Sequence, residues 1–299
     1  MVLRIFAVLL TLFPMALLEK RMRGLTADLS SSMAKLAEEK AAPKNVHRLR
    51  TTIRRIESLV SYANPDLDKK LERTLEKMAD LRKRAGKVRD LDVQANLLHV
   101  LANSSTAKDQ KILADLLSKK RERQAERLIS AIRKVQQSKF FARMDRIAGE
   151  SEKMPEGKNR PLAPLQEARM QLTEMAKDFS AHQALKISRL HEARLSLKRI
   201  RYLAELAESS EEQKDFIQEL KLVQDAVGDW HDWQELTSTA EKRFSDRVNC
   251  AMLREVRALL AARHVTATSA LNNLFAAALA QTRKPAHSSS SVRALAQRA

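Results

Sequence analysis

Aromatic residues make up only 4% of this 299-residue chain, which also holds 5 glycines, 7 prolines and one cysteine. Each scarcity excludes something. Sheets lean on β-branched and aromatic residues and need turn residues at short intervals, so this composition argues against a sheet protein. A lone cysteine, Cys250, forms no intramolecular disulfide and builds no thiolate metal site. It is expected as a small core residue, and nothing demands an oxidising compartment. No P-loop, no glycine-rich dinucleotide turn and no HExxH motif occurs. No pair of carboxylates stands in a spacing suited to acid–base work. Neither catalytic residues nor a cofactor is therefore expected. His47, His191, Asp90 and Asp92 are metal ligands by residue type, but arginines crowd them and would repel a cation, so no metal site is expected either.

What is abundant is Ala, Leu, Lys, Arg, Glu and Gln, the best helix formers. The expected fold class is all-α, and the length suffices to bury a sizeable core. Lys and Arg number 55 against 37 Asp and Glu, a net charge of +18 with a pI near 10.2. Such an excess disfavours compaction by self-repulsion and fits a protein that works against a polyanion. Nucleic acid, an anionic membrane surface and a phosphate polymer are the candidates.

The N-terminus, "MVLRIFAVLLTLFPMALLEKRMRG", has an apolar run from Ile5 to Leu18 between basic residues. It is too short to span a bilayer comfortably and is interrupted by Pro14. Its length suits a signal-peptide core, but no small-x-small cleavage site follows. Residues 1–23 thus read as an extension, signal-like or upstream of a start at Met22, leaving membrane association or export open beside a cytoplasmic expectation.

Beyond residue 24 the punctuation repeats. Helical stretches are expected at 25–40, 44–63 and 66–85, the third closed by Gly86 as a C-terminal glycine. A fourth begins near "VRDLDV", and charged helix continues from about 106 to 148 with a break at Ser138. A Pro/Gly-rich linker, 149–164, follows. The series then restarts at 164–186, 188–208 and 211–227, with Gly228 in the place of Gly86 and a last stretch from 229 to 284. Residues 285–299 read as a disordered tail. His47 and His191 stand 144 residues apart; Gly86 and Gly228, like Asp90 and Asp232, stand 142 apart. Two landmarks in nearly one register imply two helical bundles, 24–148 and 165–284, related by internal duplication.

The paired motifs carry a cationic face. At about 100° per residue, with His47 at zero, Arg54 falls at about −20°, Arg50 at about −60° and Arg55 at about +80°. Leu49, Ile53, Ile56, Leu59 and Val60 lie on the opposite side. In the second copy His191, Arg194 and Lys198 share a side, flanked by Arg199 and Arg201, while Leu197, Ile200, Leu203 and Ala204 face away. Residues 47–55 hold four arginines and no acid; 189–201 hold five Lys/Arg and one acid, Glu192. A solvated helix interleaves Glu with Lys at four-residue spacing because like charges there repel. The missing acids point to a stripe that faces anions. Imidazoles set among cations should have their proton affinity lowered. Asp90 and Asp232 are expected as braces for an arginine of the stripe, with Lys87, Arg89 and His231 beside them. Trp230 and Trp233 are expected between packed helices rather than against bases.

At "VHRLRTTIRRIESLV" with "GKVRDLDV", and "LHEARLSLKRIRYLAEL" with "VGDWHDW", the chain resembles the CHAD family, the conserved histidine α-helical domain. The resemblance implies two antiparallel helical bundles about a pseudo-two-fold axis over residues 24–284, with a basic central groove or pore. It implies a non-enzymatic binding module for inorganic polyphosphate. The binding residues it implies are His47, Arg50, Arg54, Arg55, His191, Arg194, Lys198, Arg199 and Arg201. Further contributors would be Arg48, Lys87, Arg89, Lys139 in "SKFF", and Tyr202. Polyphosphate would be the partner, with granule association following from it. Nucleic-acid binding and a metal-dependent phosphohydrolase are the alternatives.

Overall fold

In the computed structural model, the residues described are 2–38, 41–63, 69–101, 106–150, 163–180, 187–247 and 250–283. They form nine helices and no strand. These are α1 (Val2–Glu38), α2 (Pro43–Ala63), α3 (Lys69–Leu98), α4 (Ala107–Gln136) and α5 (Phe140–Glu150), then α6 (Pro164–Ser180), α7 (Ile187–Ala204), α8 (Glu211–Arg243) and α9 (Ala251–Arg283). The all-α expectation holds. Among the described residues no helix is long and apolar enough to cross a membrane. Most of the expected linker, 151–162, and the tail lie outside the described residues.

The amphipathic reading of the two basic helices is met on their apolar sides. Leu49, Ile53, Ile56, Leu59 and Val60 of α2 are buried, as are Leu197, Ile200, Leu203 and Ala204 of α7. Each such side chain is worth roughly 1.5–3 kcal/mol when fully withdrawn from water. They join one large core contributed by all nine helices. A smaller core gathers Leu98, Leu101, Leu113 and Leu117 against Trp233, Leu236, Phe244 and Cys250, so α3 and α4 are bound to α8 and α9. Cys250 and both tryptophans are core residues.

Three helix limits differ from the sequence expectation. Gly86 ends nothing: α3 runs through it, and α8 likewise runs through Gly228. A glycine costs an interior helical position only about 1 kcal/mol relative to alanine. Flanking residues outweigh that, with Met78, Leu81, Ala85 and Val88 of α3, and Val223, Val227 and Trp230 of α8, all buried. Asp90 and Asp232 therefore sit inside helices rather than at helix starts. The stretch expected as one helix from 229 to 284 is instead the end of α8 and all of α9, parted by a turn where Ser245 Oγ donates to Asp246. Lastly, α1 passes without interruption across residue 24, and Leu18 and Met22 are buried in the large core.

The end of α7 is fastened from two sides. Arg21 of α1 donates to the carbonyls of Glu205 and Ala207, both at 3.0 Å. Gln213 of α8 donates to those of Ala204 and Ala207 at 3.1 and 3.3 Å. Terminal carbonyls that the helix cannot satisfy itself are thereby paired. Gln213 is placed by the α8 N-cap, where Ser210 Oγ accepts from its backbone N–H at 3.1 Å.

A methyl added at Gly228 would meet nothing within 4 Å, and at Gly86 would come to 3.9 Å from the Arg50 guanidinium. Gly228→Ala is expected to stabilise the fold by about 1 kcal/mol in urea unfolding, and Gly86→Ala by less. Destabilisation by Gly228→Ala would contradict its place inside α8.

Candidate functional site

Four helices meet in a closed circuit. α2 packs on α3, α3 on α8, α8 on α7, and α7 on α2. The cationic stripes of α2 and α7 are thus brought from positions over a hundred residues apart onto one another. Lys198 lies in the fields of Arg194, Arg54 and Arg50; Arg50 in those of Arg194 and Arg89; and Arg194 in that of Arg54. Burial is the largest influence on each of these groups and acts against its charge. The neighbouring cations add to it, and together they push Lys198 down to about 7.

Two carboxylates partly offset this. Asp90 Oδ1 lies 3.6 Å from Arg50 Nη1, and Asp232 Oδ1 lies 4.0 Å from Arg194 Nη2. Asp90 also acts on Arg194, and Asp232 on Lys198, so each carboxylate serves more than one cation. The compensation is incomplete: the buried Arg194 Nε has no hydrogen-bond partner among the described residues.

The histidines flank the cluster. His47 is held below its usual range first by burial and then by Arg89, Arg50, Arg201 and Arg55. His191 is lowered by burial, then by His231, Arg194 and Lys198, against Glu235. The cations act as expected on the imidazoles, but burial leads them. The His191 and His231 rings stack at 5.5 Å between centroids, and His231 Nδ1 lies 3.5 Å from Asp232 Oδ1.

With this geometry the sequence can be compared with known proteins. It matches the CHAD domain family over residues 20–241. The chain belongs to the CHAD family. Its fold is similar to that of the CHAD domain from the plant Ricinus communis, with a TM-score of 0.65, 15% identity, and coverage of 88% of this chain and 91% of that one. It is also similar to PptA from Streptomyces chartreusis, with a TM-score of 0.60, 18% identity, and coverage of 88% and 98%. No curated protein matched significantly.

The remaining residues implied for a CHAD site fall in different places. Arg54 and Arg199 line a cavity of about 750 Å³ together with Tyr202, Ser61, Glu57 and Arg82. Arg55 lines a second of about 620 Å³, with Tyr202, Glu205 and Arg21. Tyr202 is buried. Arg201 sits over the Tyr202 ring at 4.9 Å. Arg89 reaches the cluster through its field on His47 and Arg50. Lys87 is exposed on α3. Arg48 turns towards α1, with Nη2 2.6 Å from Asp28 Oδ1. Lys139 is exposed in the turn before α5, whose packing partners are α1, α3 and α4. Neither Arg48 nor Lys139 is drawn into the cluster by any ion pair or field described here.

Arg82 and Glu205 are two residues that the sequence reading does not single out. Arg82 Nε is 2.9 Å from Glu57, and Glu205 contacts Arg55 and Arg201. No periodicity announces them, because each is defined by a partner on another helix. Among the described residues no three of His, Cys, Asp and Glu converge as a metal set. Asp90 faces Arg50, and Asp92 accepts from Arg121.

A buried cation among cations weakens the fold that contains it. Lys198→Met keeps the volume and removes the charge. In the ligand-free protein it is expected to raise stability, roughly 1–4 kcal/mol being the range for replacing buried charges by apolar groups. The gain should be seen as a higher Tm at pH 6 and should shrink towards pH 10, where Lys198 is neutral in the fold.

Proposed function

We propose that this CHAD domain binds inorganic polyphosphate, without acting on it chemically, in a basic groove between α2 and α7. The binding residues are His47, Arg50, Arg54 and Arg55 from α2, with His191, Arg194, Lys198, Arg199 and Arg201 from α7. Arg89 and Tyr202 contribute from beside them, and Asp90 and Asp232 brace Arg50 and Arg194. In this reading residues 24–148 and 165–284 are duplicated halves, each supplying one basic helix. The protein would act in the cytoplasm, at polyphosphate granules.

The observation that supports it best is the forced meeting of desolvated Arg50, Arg54, Arg194 and Lys198, whose carboxylate ion pairs among the described residues are two long ones, Asp90 to Arg50 and Asp232 to Arg194. A fold that shuts four like charges together is weaker for it, and a bound polyanion recovers that free energy as affinity. Arginine forks match phosphate oxygens two at a time. Nucleic acid is a weaker fit, because a base-stacking surface needs exposed aromatics and Trp230 and Trp233 are each 1% exposed.

Replacing Arg54 and Lys198 together by Ala should lower polyphosphate affinity by about a hundredfold or more, at roughly 1.5–3 kcal/mol for each charged contact. Fluorescence anisotropy of an end-labelled polymer would read it. Unchanged affinity would remove the groove from the function. Duplex DNA of equal charge should compete poorly at physiological salt, and no orthophosphate should appear with Mg²⁺ or Mn²⁺.

The pH dependence has a definite sign. Lys198 is lowered to about 7 in the free protein, and a bound anion raises it again, so binding takes up a proton above pH 7. Affinity at constant ionic strength should therefore fall from pH 7 to pH 9, by up to about tenfold per pH unit for one coupled proton. His47 and His191, lowered when free, extend the same trend below pH 7. Lys198→Arg should flatten the alkaline limb.

A further inference from the structure

We infer that Glu205 is an internal stand-in for phosphate, clasping one end of the basic site until a long polyanion displaces it. The inference rests on the polyphosphate reading and concerns how the site chooses among chain lengths.

Glu205 Oε2 accepts from Arg55 Nε at 2.8 Å, and its Oε1 lies 3.4 Å from Arg201 Nε. One carboxylate thus hydrogen-bonds an arginine of α2 and stands beside Arg201 of α7, whose buried Nε has no hydrogen-bond partner among the described residues, in the place from which a phosphate could bridge both guanidiniums. Glu205 and Arg201 are partly buried, at 21% exposure each, and Arg55 is exposed at 46%. The clasp is fixed in place because the Glu205 carbonyl is held by Arg21 at 3.0 Å, at the fastened end of α7. It stands at the His47 end, since Arg201 and Arg55 are both felt by that imidazole.

The other end is built differently. In the 144-residue register that places His191 on His47, Arg199 takes the place of Arg55, and Ser61 that of Glu205. Arg199 and Ser61 line the 750 Å³ cavity, as Arg55 and Glu205 line the 620 Å³ one, and Tyr202 belongs to both. Where the first has a serine the second has a carboxylate. Two acids line the open end and both are engaged by neighbours other than Arg199, Glu57 by Arg82 at 2.9 Å and Glu167 by the Gln171 amide, which donates to it at 2.8 Å. Among the described residues Arg199 has no carboxylate within 4.0 Å. One end is therefore open to an anion and the other is already filled by one.

A short phosphate uses the open end and the interior cations without touching Glu205. A chain long enough to reach His47 must push the carboxylate aside, and the phosphates already bound hold it close at high effective concentration while it does so. The clasp separates the two classes of ligand.

Glu205→Gln tests this, retaining shape while removing charge, and Glu205→Ser copies the open end. Binding of long-chain polyphosphate and of tripolyphosphate would be measured by calorimetry over a salt series. Glu192→Gln serves as a control of equal charge change, since Glu192 pairs with Arg189 and, among the described residues, with no cation of the cluster. For both Glu205 variants long-chain affinity should rise roughly fivefold, the scale of two partly exposed ion contacts. The slope of log K against log salt should steepen by about one. Tripolyphosphate affinity should move no more than in Glu192→Gln. The clasp is overturned if long-chain affinity rises no further than in that control, or if tripolyphosphate gains as much as the polymer. Wild-type protein that binds neither ligand would instead refute the polyphosphate reading, and the clasp with it.

Discussion

The structure turns on the repulsion between two cationic helices that it nevertheless packs together. Arg50, Arg54, Arg194 and Lys198 come from segments over a hundred residues apart, and burial acts on each against its charge. Nothing local requires this. The apolar sides of α2 and α7 carry the packing, with Leu49, Ile53, Ile56, Leu197 and Ile200 almost fully withdrawn from water. Burial of five such groups is worth several kcal/mol, enough to hold the charged sides of the same helices in contact. The core thus stores electrostatic free energy at one place, and that place is where an anion would be most strongly held.

Two aspartates decide how much is stored. Asp90 and Asp232 stand at 3.6 and 4.0 Å from their arginines, longer than a good ion pair. At those distances they reduce the repulsion and orient the forks without saturating them. Closer pairing would neutralise the cluster and leave little for a ligand. Their position inside α3 and α8 matters here, because a helix interior fixes a carboxylate more firmly than a helix end. Gly86, four residues before Asp90, lies beside the Arg50 guanidinium, which a methyl at that position would meet at 3.9 Å. The glycine–aspartate spacing works as a seat for an arginine, not as a helix stop.

Much of this could be read from the chain alone, and the parts that could not share a cause. Scarce glycine, proline and aromatics, with helix formers in excess, leave little but an all-α fold. The wheel positions of α2 and α7 follow from periodicity, which local sequence contains in full. The ends of α3 and α8 were misplaced because a lone glycine between helical stretches reads as a stop. Whether it is one depends on the burial of Ala85, Val88, Val227 and Trp230, which is a tertiary fact. Glu205 and Arg82 escaped for the same reason, since an acid at a helix end and an arginine in a charged run are unremarkable until their partners are known. Arg48 shows the converse. It sits in the motif beside His47, yet one residue of rotation sends it to Asp28 on α1.

The differences between the two motif copies then acquire a meaning. In the 144-residue register Arg54 aligns with Lys198 and Ser61 with Glu205, and in the 142-residue register Arg89 aligns with His231. The α2–α3 side holds guanidiniums that stay charged at any accessible pH. The α7–α8 side holds Lys198, lowered to about 7, beside the stacked His191 and His231. Among the clustered cations Lys198 is the one whose charge answers to pH and to occupancy, while Arg50, Arg54 and Arg194 stay charged. A site with two guanidinium walls would bind more tightly but would carry its full repulsion when empty. Having Lys198 among the arginines lets the empty site shed a proton instead, which lessens the repulsion in the free protein. The same substitution makes binding and proton uptake one event. Under the proposed function, the weaker cations of α7 are what allow the arginines of α2 to stay buried and charged while no ligand is bound.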